Sequence, residues 1–183
     1  MCRLKNYIPG HILRILYNSM FMPHLQYSIL NWGHKHGRLH KLQKRAIRII
    51  TNSKYNAHTE PLFKKLNLIK LPDIFTCSLL KFYYKYEKNT IPDYFRGTNF
   101  INKGNHSHLT RGIDSLRIPR MHSACAQQSL RYLLPKHVNS TPQCILQKIH
   151  THSLNGFVWY IKRITLMSYE TECQIRNCYI CNL

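Results

Sequence analysis

The chain has 183 residues, of which 27 are Lys or Arg and 7 are Asp or Glu, so its formal net charge is +20 with the 12 histidines taken as neutral. Hydrophobic residues make up 44 % of the chain, which excludes a wholly disordered protein because disorder requires low hydrophobicity together with high charge. The positive charge favours polyanionic partners, namely nucleic acid or an anionic membrane surface.

The sequence shows neither a secretory signal nor a membrane span. Lys5, Pro9 and Arg14 interrupt the N-terminal segment before an apolar run of signal-peptide length can form. A membrane-spanning helix needs about 18 or more consecutive apolar residues, and no such run occurs. The cysteines are odd in number and scattered except near the end of the chain, which is typical of reduced thiols. We therefore expect an intracellular protein without a membrane partner.

Helical periodicity dominates the first half of the chain. Residues 10–32 carry a long apolar pattern that Pro23 interrupts. Because proline lacks a backbone N–H donor, the pattern predicts two helices that meet at this residue. Gly33 and Gly37 then separate the pattern from a strongly basic helix over 38–50.

The predicted helix over 38–50 sorts its side chains by polarity. At about 100° per residue, one side carries the apolar residues Leu39, Leu42, Ala46, Ile49 and Ile50. The other side carries the cations Arg38, Lys41, Lys44, Arg45 and Arg48. An ordinary solvated face usually mixes acids with bases, since opposite charges four residues apart stabilise a helix, whereas this segment contains no acid. A solvated face and an anion-binding face are the two interpretations. The apolar side has no aromatic anchor, which ranks nucleic acid above a membrane surface.

Two more helices are predicted before residue 95. Thr59 is expected to cap a short helix that starts near Glu60, and Pro72 and Asp73 are expected to open a longer one. Lys81 and Lys85 lie off the apolar face of the longer helix and are candidate contacts for nucleic acid. Its tyrosines, beside lysines, are candidates for base stacking or for the core: Tyr83, Tyr84 and Tyr86.

Residues 96–120 lose the helical period and contain several Gly and Asn. We predict a long basic loop here, in which Arg111 is a further candidate for nucleic-acid binding. Helical patterning returns after it. The predicted fold is mostly α, with a helical region over 1–95, a basic loop or linker over 96–125 and a smaller helical region over 126–183 that has a Cys-rich end.

The sequence contains no recognisable self-contained active site. Polymerase, nuclease or kinase chemistry needs carboxylates gathered on metal ions, and the acids of this chain are dispersed. The metal-like cluster is Cys173, Cys178 and Cys181, with C-x4-C-x2-C spacing that suits part of a tetrahedral zinc site. A fourth ligand would come from elsewhere, with three candidates: Cys144, His150 and His152. Ordinary reduced thiols are the alternative.

Two consecutive segments resemble a known family. "LYNSMFMPHLQYSILNWG" followed by "LHKLQKRAIRIIT" resembles the region after the catalytic palm in jockey-like non-LTR retrotransposon reverse transcriptases. In that family a helix, a Pro-His-Leu-x-Tyr-Gly stretch, a Trp-Gly pair and a Leu-Gln-x-Arg-Ala-x-Arg helix follow one another. The similarity continues through "HTEPLFKKLNLIKLPDIF" to the terminal cysteines and so covers most of the chain. Ser28 stands where the family has glycine.

The resemblance implies a helical thumb-like lobe and a C-terminal region that hold template–primer or element RNA. It implies RNA, DNA or an RNA–DNA hybrid as ligand, and the upstream palm domain of the parent polymerase as protein partner. The family's catalytic Asp-Asp motif lies in that palm, which would precede Met1, so the chain is not expected to be an enzyme by itself. The alternatives are a zinc-nucleated module for nucleic-acid or protein interaction, and an inert product of a decayed element.

Overall fold

The protein is described by a computed structural model that covers residues 3–93, 95 and 115–169. It is mostly α-helical, as predicted. In the first half the α-helices are α1 (Gly10–Leu16), α2 (Met22–Gln26), α3 (Ile29–Trp32), α4 (Gly37–Ile50), α5 (Glu60–Lys65) and α6 (Leu71–Glu87). In the second half they are α7 (Leu130–Ser140), α8 (Gln143–Leu146), α9 (Lys148–Thr151) and α10 (Leu154–Met167). None of the described helices is long and apolar enough to cross a membrane.

The interruption predicted at Pro23 takes the form of a widened helical turn. A π-helical turn over Tyr17–Phe21 joins α1 to α2, and the N–H of Met22 bonds to the carbonyl of Tyr17. A proline ring collides with the carbonyl four residues before it in a regular α-helix. The extra residue in the π turn relieves this conflict. The chain therefore keeps one helical path here instead of breaking into two separate helices.

The turn after α2 has a backbone conformation that favours glycine. Ser28 adopts φ 48° and ψ 30°, in the left-handed region, and Asn31 Nδ2 donates a hydrogen bond to its Oγ at 2.8 Å. Trp32 Nε1 donates to the carbonyl of Tyr27 at 2.7 Å and closes the turn. The retrotransposon family that the sequence resembles has glycine at this position. Glycine adopts the left-handed conformation of Ser28 without steric cost.

The starts of α5 and α6 differ slightly from the predictions. Thr59 directly precedes α5, but its side chain makes no capping hydrogen bond. Helix α6 begins at Leu71, one residue before the predicted proline. The N–H of Leu71 donates a hydrogen bond to Oε1 of Gln43 at 2.8 Å. Because the first N–H groups of a helix have no partner within it, Gln43 stabilises the start of α6 from a distant position in the chain.

The described residues form two compact units, one over 3–75 with 162–169 and the other within 76–161. The core of the first unit contains Leu13, Tyr17, Ala46, Ile47, Ile50, Phe63, Leu68 and Tyr169. In the second unit Phe157 is fully buried and its ring centroid lies 5.2 Å from that of Tyr84. The predicted division into 1–95, 96–125 and 126–183 stays a prediction, because much of the proposed linker lies outside the described residues.

Two of the three tyrosines considered for base stacking belong to a core. Tyr83 and Tyr84 are 8 % and 7 % exposed, and the hydroxyl of Tyr84 donates to the carbonyl of His152 at 2.8 Å. Burial raises the pKa of Tyr83, and the neighbouring Glu87 adds to this rise. These two rings are packed inside the second unit and are not available to bases.

Candidate nucleic-acid interface

Helix α4 forms where the basic helix was predicted, over Gly37–Ile50. Its buried residues are Gln43, Ala46, Ile47 and Ile50. The prediction of the buried side was partly wrong, because Leu39 and Leu42 are 37 % and 59 % exposed. The helix is turned so that Gln43, and not Leu42, points into the core. The side that a helix buries depends on the groups that it packs against. For α4 these include polar groups, the hydroxyl of Tyr17 and the carbonyl of Ile69, as well as apolar side chains.

Gln43 sets the orientation of α4 through a buried set of hydrogen bonds. Its Nε2 donates to the hydroxyl of Tyr17 and to the carbonyl of Ile69, both at 3.0 Å. Its Oε1 accepts from the N–H of Leu71 at 2.8 Å and lies 3.2 Å from Nδ1 of His40. Burial raises the pKa of the Tyr17 hydroxyl. Because the donors and the acceptor of this buried amide are all used, it stabilises the fold and also favours one orientation of α4.

The charge pattern of the segment gives no indication of this role of Gln43. A glutamine inside a strongly basic helix resembles a surface residue by type. The signal that could have identified it is its spacing, since it precedes Ile47 by four residues and Ile50 by seven. These intervals place all three on one side of an α-helix.

The five predicted cations lie on the side of α4 that faces away from its buried residues. Arg38, Lys41 and Arg45 are exposed, whereas Lys44 and Arg48 are half-buried. They occupy about a third of the helix circumference and extend about 15 Å along its axis. Within the described part of the chain, four of them make no side-chain hydrogen bond and no ion pair: Arg38, Lys41, Lys44 and Arg45.

The acidic side chains of the first unit have partners other than the cations of α4. Among its described residues the acids are Glu60 and Asp73. Glu60 pairs with Lys70, and Asp73 accepts a hydrogen bond from the hydroxyl of Tyr169. The ammonium of Lys70 also lies 4.2 Å from the centroid of the Tyr169 ring. The described part of this unit therefore provides no carboxylate that neutralises the cations of α4.

Arg48 has a structural role that the other four cations lack. Its Nε donates to the carbonyl of Ala57 at 2.8 Å, while its own carbonyl accepts from the N–H of Ser53 at 3.0 Å. These bonds tie the loop after α4 to the end of the helix. The phosphate contact predicted for Arg48 stays a prediction, and removing this side chain would also loosen the loop.

The remaining predicted site residues belong to other segments of the chain than α4. Lys81 and Lys85 lie one turn apart on α6, in the second unit, where Lys81 is exposed and Lys85 is half-buried. Arg111 lies outside the described residues, so its contact with nucleic acid stays a prediction.

The zinc site also stays a prediction. Cys173, Cys178 and Cys181 lie outside the described residues. Of the three candidates for a fourth ligand, Cys144 and His150 are exposed and His152 is half-buried. In the described ranges, no group of three or more His, Cys, Asp or Glu side chains is placed to hold a metal ion.

No protein-family model matches the chain, and no curated protein and no solved structure is significantly similar to it.

Proposed function

We propose that the protein binds the phosphate backbone of nucleic acid through the exposed basic side of α4. The observation that carries this proposal is a row of four cations that have no hydrogen-bond or ion-pair partner among the described residues, in a unit whose described acids have other partners. Cations placed along a phosphate backbone release condensed counterions, which drives binding. Such contacts position a duplex without distinguishing its sequence. The expected ligand is RNA, DNA or an RNA–DNA hybrid.

We further propose that the chain is the thumb and C-terminal region of a non-LTR retrotransposon reverse transcriptase. The support is the resemblance of its consecutive segments to that family, together with the left-handed backbone at Ser28, where the family has glycine. In this proposal the protein clamps template–primer and does not polymerise by itself.

The proposed protein partner is the palm domain of the parent polymerase. Exposed apolar side chains follow one another along α1 and the π turn: Ile12, Ile15, Met20 and Phe21. Exposed apolar side chains that form one continuous patch are typical of a surface that another domain covers, and we propose that these four form such a patch. The same surface would promote aggregation if the protein were an inert remnant, so self-association without nucleic-acid binding would favour that alternative.

The test of nucleic-acid binding is fluorescence anisotropy on a labelled RNA–DNA duplex at several salt concentrations. We expect the double variant Lys41→Gln/Arg45→Gln to bind more weakly and to show a shallower dependence of log affinity on log salt. Because each phosphate contact contributes about 0.9 to this slope, the slope should fall by about two. Neither residue has a structural partner in the described part of the chain, so the fold should be unaffected.

The matched control is Arg14→Gln/Lys35→Gln, which removes the same charge from two exposed residues outside α4. We expect this control to keep the slope of the unmodified protein. Equal weakening by both double variants, or competition by heparin that abolishes binding of every ligand alike, would show that only the net charge matters and would contradict a defined interface.

A further inference from the structure

The loop after α4 presents an exposed aromatic ring. Tyr55 is 84 % exposed and lies in a tight turn in which the N–H of Ala57 bonds to the carbonyl of Lys54 at 3.1 Å. A tyrosine exposed to this degree contributes little to folding. Exposed aromatic rings beside cations bind unpaired bases by stacking, because every base has a flat face.

The loop that carries Tyr55 is held in place at several points. Thr51 Oγ1 donates to the carbonyl of Ile47 at 3.0 Å and lies 2.8 Å from Oγ of Ser53. Arg48 Nε bonds to the carbonyl of Ala57 at 2.8 Å. These bonds order the backbone around Tyr55 before any ligand binds. The free-energy cost of ordering the loop when a base stacks on the ring is therefore small.

The turn also lies at one end of the basic side of α4. Arg48 belongs to that side, one helical turn after Lys44 and Arg45. Since its guanidinium reaches the carbonyl of Ala57, the turn with Tyr55 packs against the C-terminal end of the row of cations. A phosphate backbone that follows the cations therefore comes to the turn that carries Tyr55.

We propose that Tyr55 is a base-stacking residue and that the protein prefers a duplex that ends in a single-stranded overhang to a blunt duplex. This inference rests on the proposed function, because it assigns the cations of α4 to the duplex and Tyr55 to the first unpaired nucleotide. It specifies the preferred ligand as a junction between paired and unpaired nucleic acid.

The test compares a blunt RNA–DNA duplex with the same duplex carrying a short overhang, both measured by fluorescence anisotropy. We expect the protein to bind the overhang form about tenfold more tightly. Tyr55→Ala should remove this preference and leave the affinity for the blunt duplex unchanged. Tyr55→Phe should retain the preference, because the flat face of the ring remains.

A second measurement reports stacking directly. A 2-aminopurine placed as the first unpaired base should lose fluorescence when the protein binds, and Tyr55→Ala should prevent this loss. The matched control is Tyr27→Ala, which removes a ring that is 79 % exposed and that makes no hydrogen bond or ring contact with α4 in the described structure. It should leave both measurements unchanged.

The outcomes separate the two proposals. If the blunt duplex binds with the expected salt dependence but Tyr55→Ala affects both duplexes equally or neither, the stacking inference is wrong and the proposed function stands. If neither duplex binds in a salt-dependent manner, both are wrong.

Discussion

Gly33 and Gly37 are residues of the same type with opposite surroundings. A Cβ added at Gly33 would lie 2.3 Å from Cδ2 of Phe75 and 2.9 Å from Cγ1 of Ile29, whereas a Cβ at Gly37 would meet nothing within 4 Å. Both glycines had been predicted as separators between helices. The structure shows that Gly33 is needed for the close approach of the Phe75 ring, while Gly37 only begins α4.

At the residue scale, we predict that alanine has different effects at these two positions. Gly33→Ala should lower the free energy of unfolding by about 1–3 kcal/mol, because the aromatic ring must move. Gly37→Ala should leave it unchanged or raise it by about 0.5 kcal/mol, since alanine is the better helix former. Urea unfolding followed by circular dichroism measures both, and a similar loss for both variants would contradict the close packing at Gly33.

At the scale of the element, α4 combines a polar anchor on its buried side with cations on its exposed side. Gln43 connects α4 to the N-terminal helical path through Tyr17 and to the start of α6 through Leu71. The orientation of the helix, and therefore the direction in which its cations point, depends on these bonds. The structural role of Gln43 and the proposed binding role of the cations are thus linked, because both depend on the orientation of α4.

We predict that Gln43→Leu lowers the free energy of unfolding by about 2–4 kcal/mol, although leucine has a similar size. The change leaves the Leu71 N–H and the Ile69 carbonyl buried without their partner, and each unsatisfied group costs about 1–3 kcal/mol. The control is Gln26→Leu, at an exposed position on α2, which should change stability by less than about 0.5 kcal/mol. Equal midpoints of urea unfolding for Gln43→Leu and the unmodified protein would contradict a structural role for the amide.

At the scale of the whole molecule, each compact unit holds a half-buried histidine whose pKa is lowered. Burial is the main cause for His40, and the positive charges of Lys44, His36 and Lys70 lower its pKa further, whereas the hydrogen bond with Oε1 of Gln43 opposes this shift. Burial and Lys136 lower the pKa of His137 in the second unit. In the unfolded chain both histidines would titrate near 6.5.

We therefore predict that the protein loses stability as the pH falls below about 6.5. Below this pH, both histidines become protonated in the unfolded chain, whereas His40 and His137 stay neutral in the folded protein until the pH reaches their lower pKa values. Protonation therefore favours the unfolded state over this range of pH. Urea midpoints between pH 7.5 and pH 5 measure this effect, and His40→Asn or His137→Asn should reduce its size. His11→Asn, at an exposed residue of α1, should preserve it, and a midpoint that does not change with pH would contradict the prediction.

The sequence by itself determined the features that depend on neighbouring residues. The positions of Gly, Pro and apolar residues predicted a mostly α fold, a helix over 38–50 and an interruption at Pro23, because helix formation and charge sorting act over a few residues. The sequence also predicted which residues form the basic side of α4, because the side of a helix on which a residue lies follows from the 3.6-residue period.

Only the tertiary structure decided which side of α4 is buried and what its cations lie next to. Gln43 bonds to Tyr17 across 26 positions and to Leu71 across 28, and no local pattern encodes partners at such a separation. The turn that carries Tyr55 is held at the end of α4 by a bond across nine positions, from Arg48 to the carbonyl of Ala57. Amphipathic spacing leaves the rotation of a helix uncertain by a residue or two, and the packing of distant side chains removes that uncertainty.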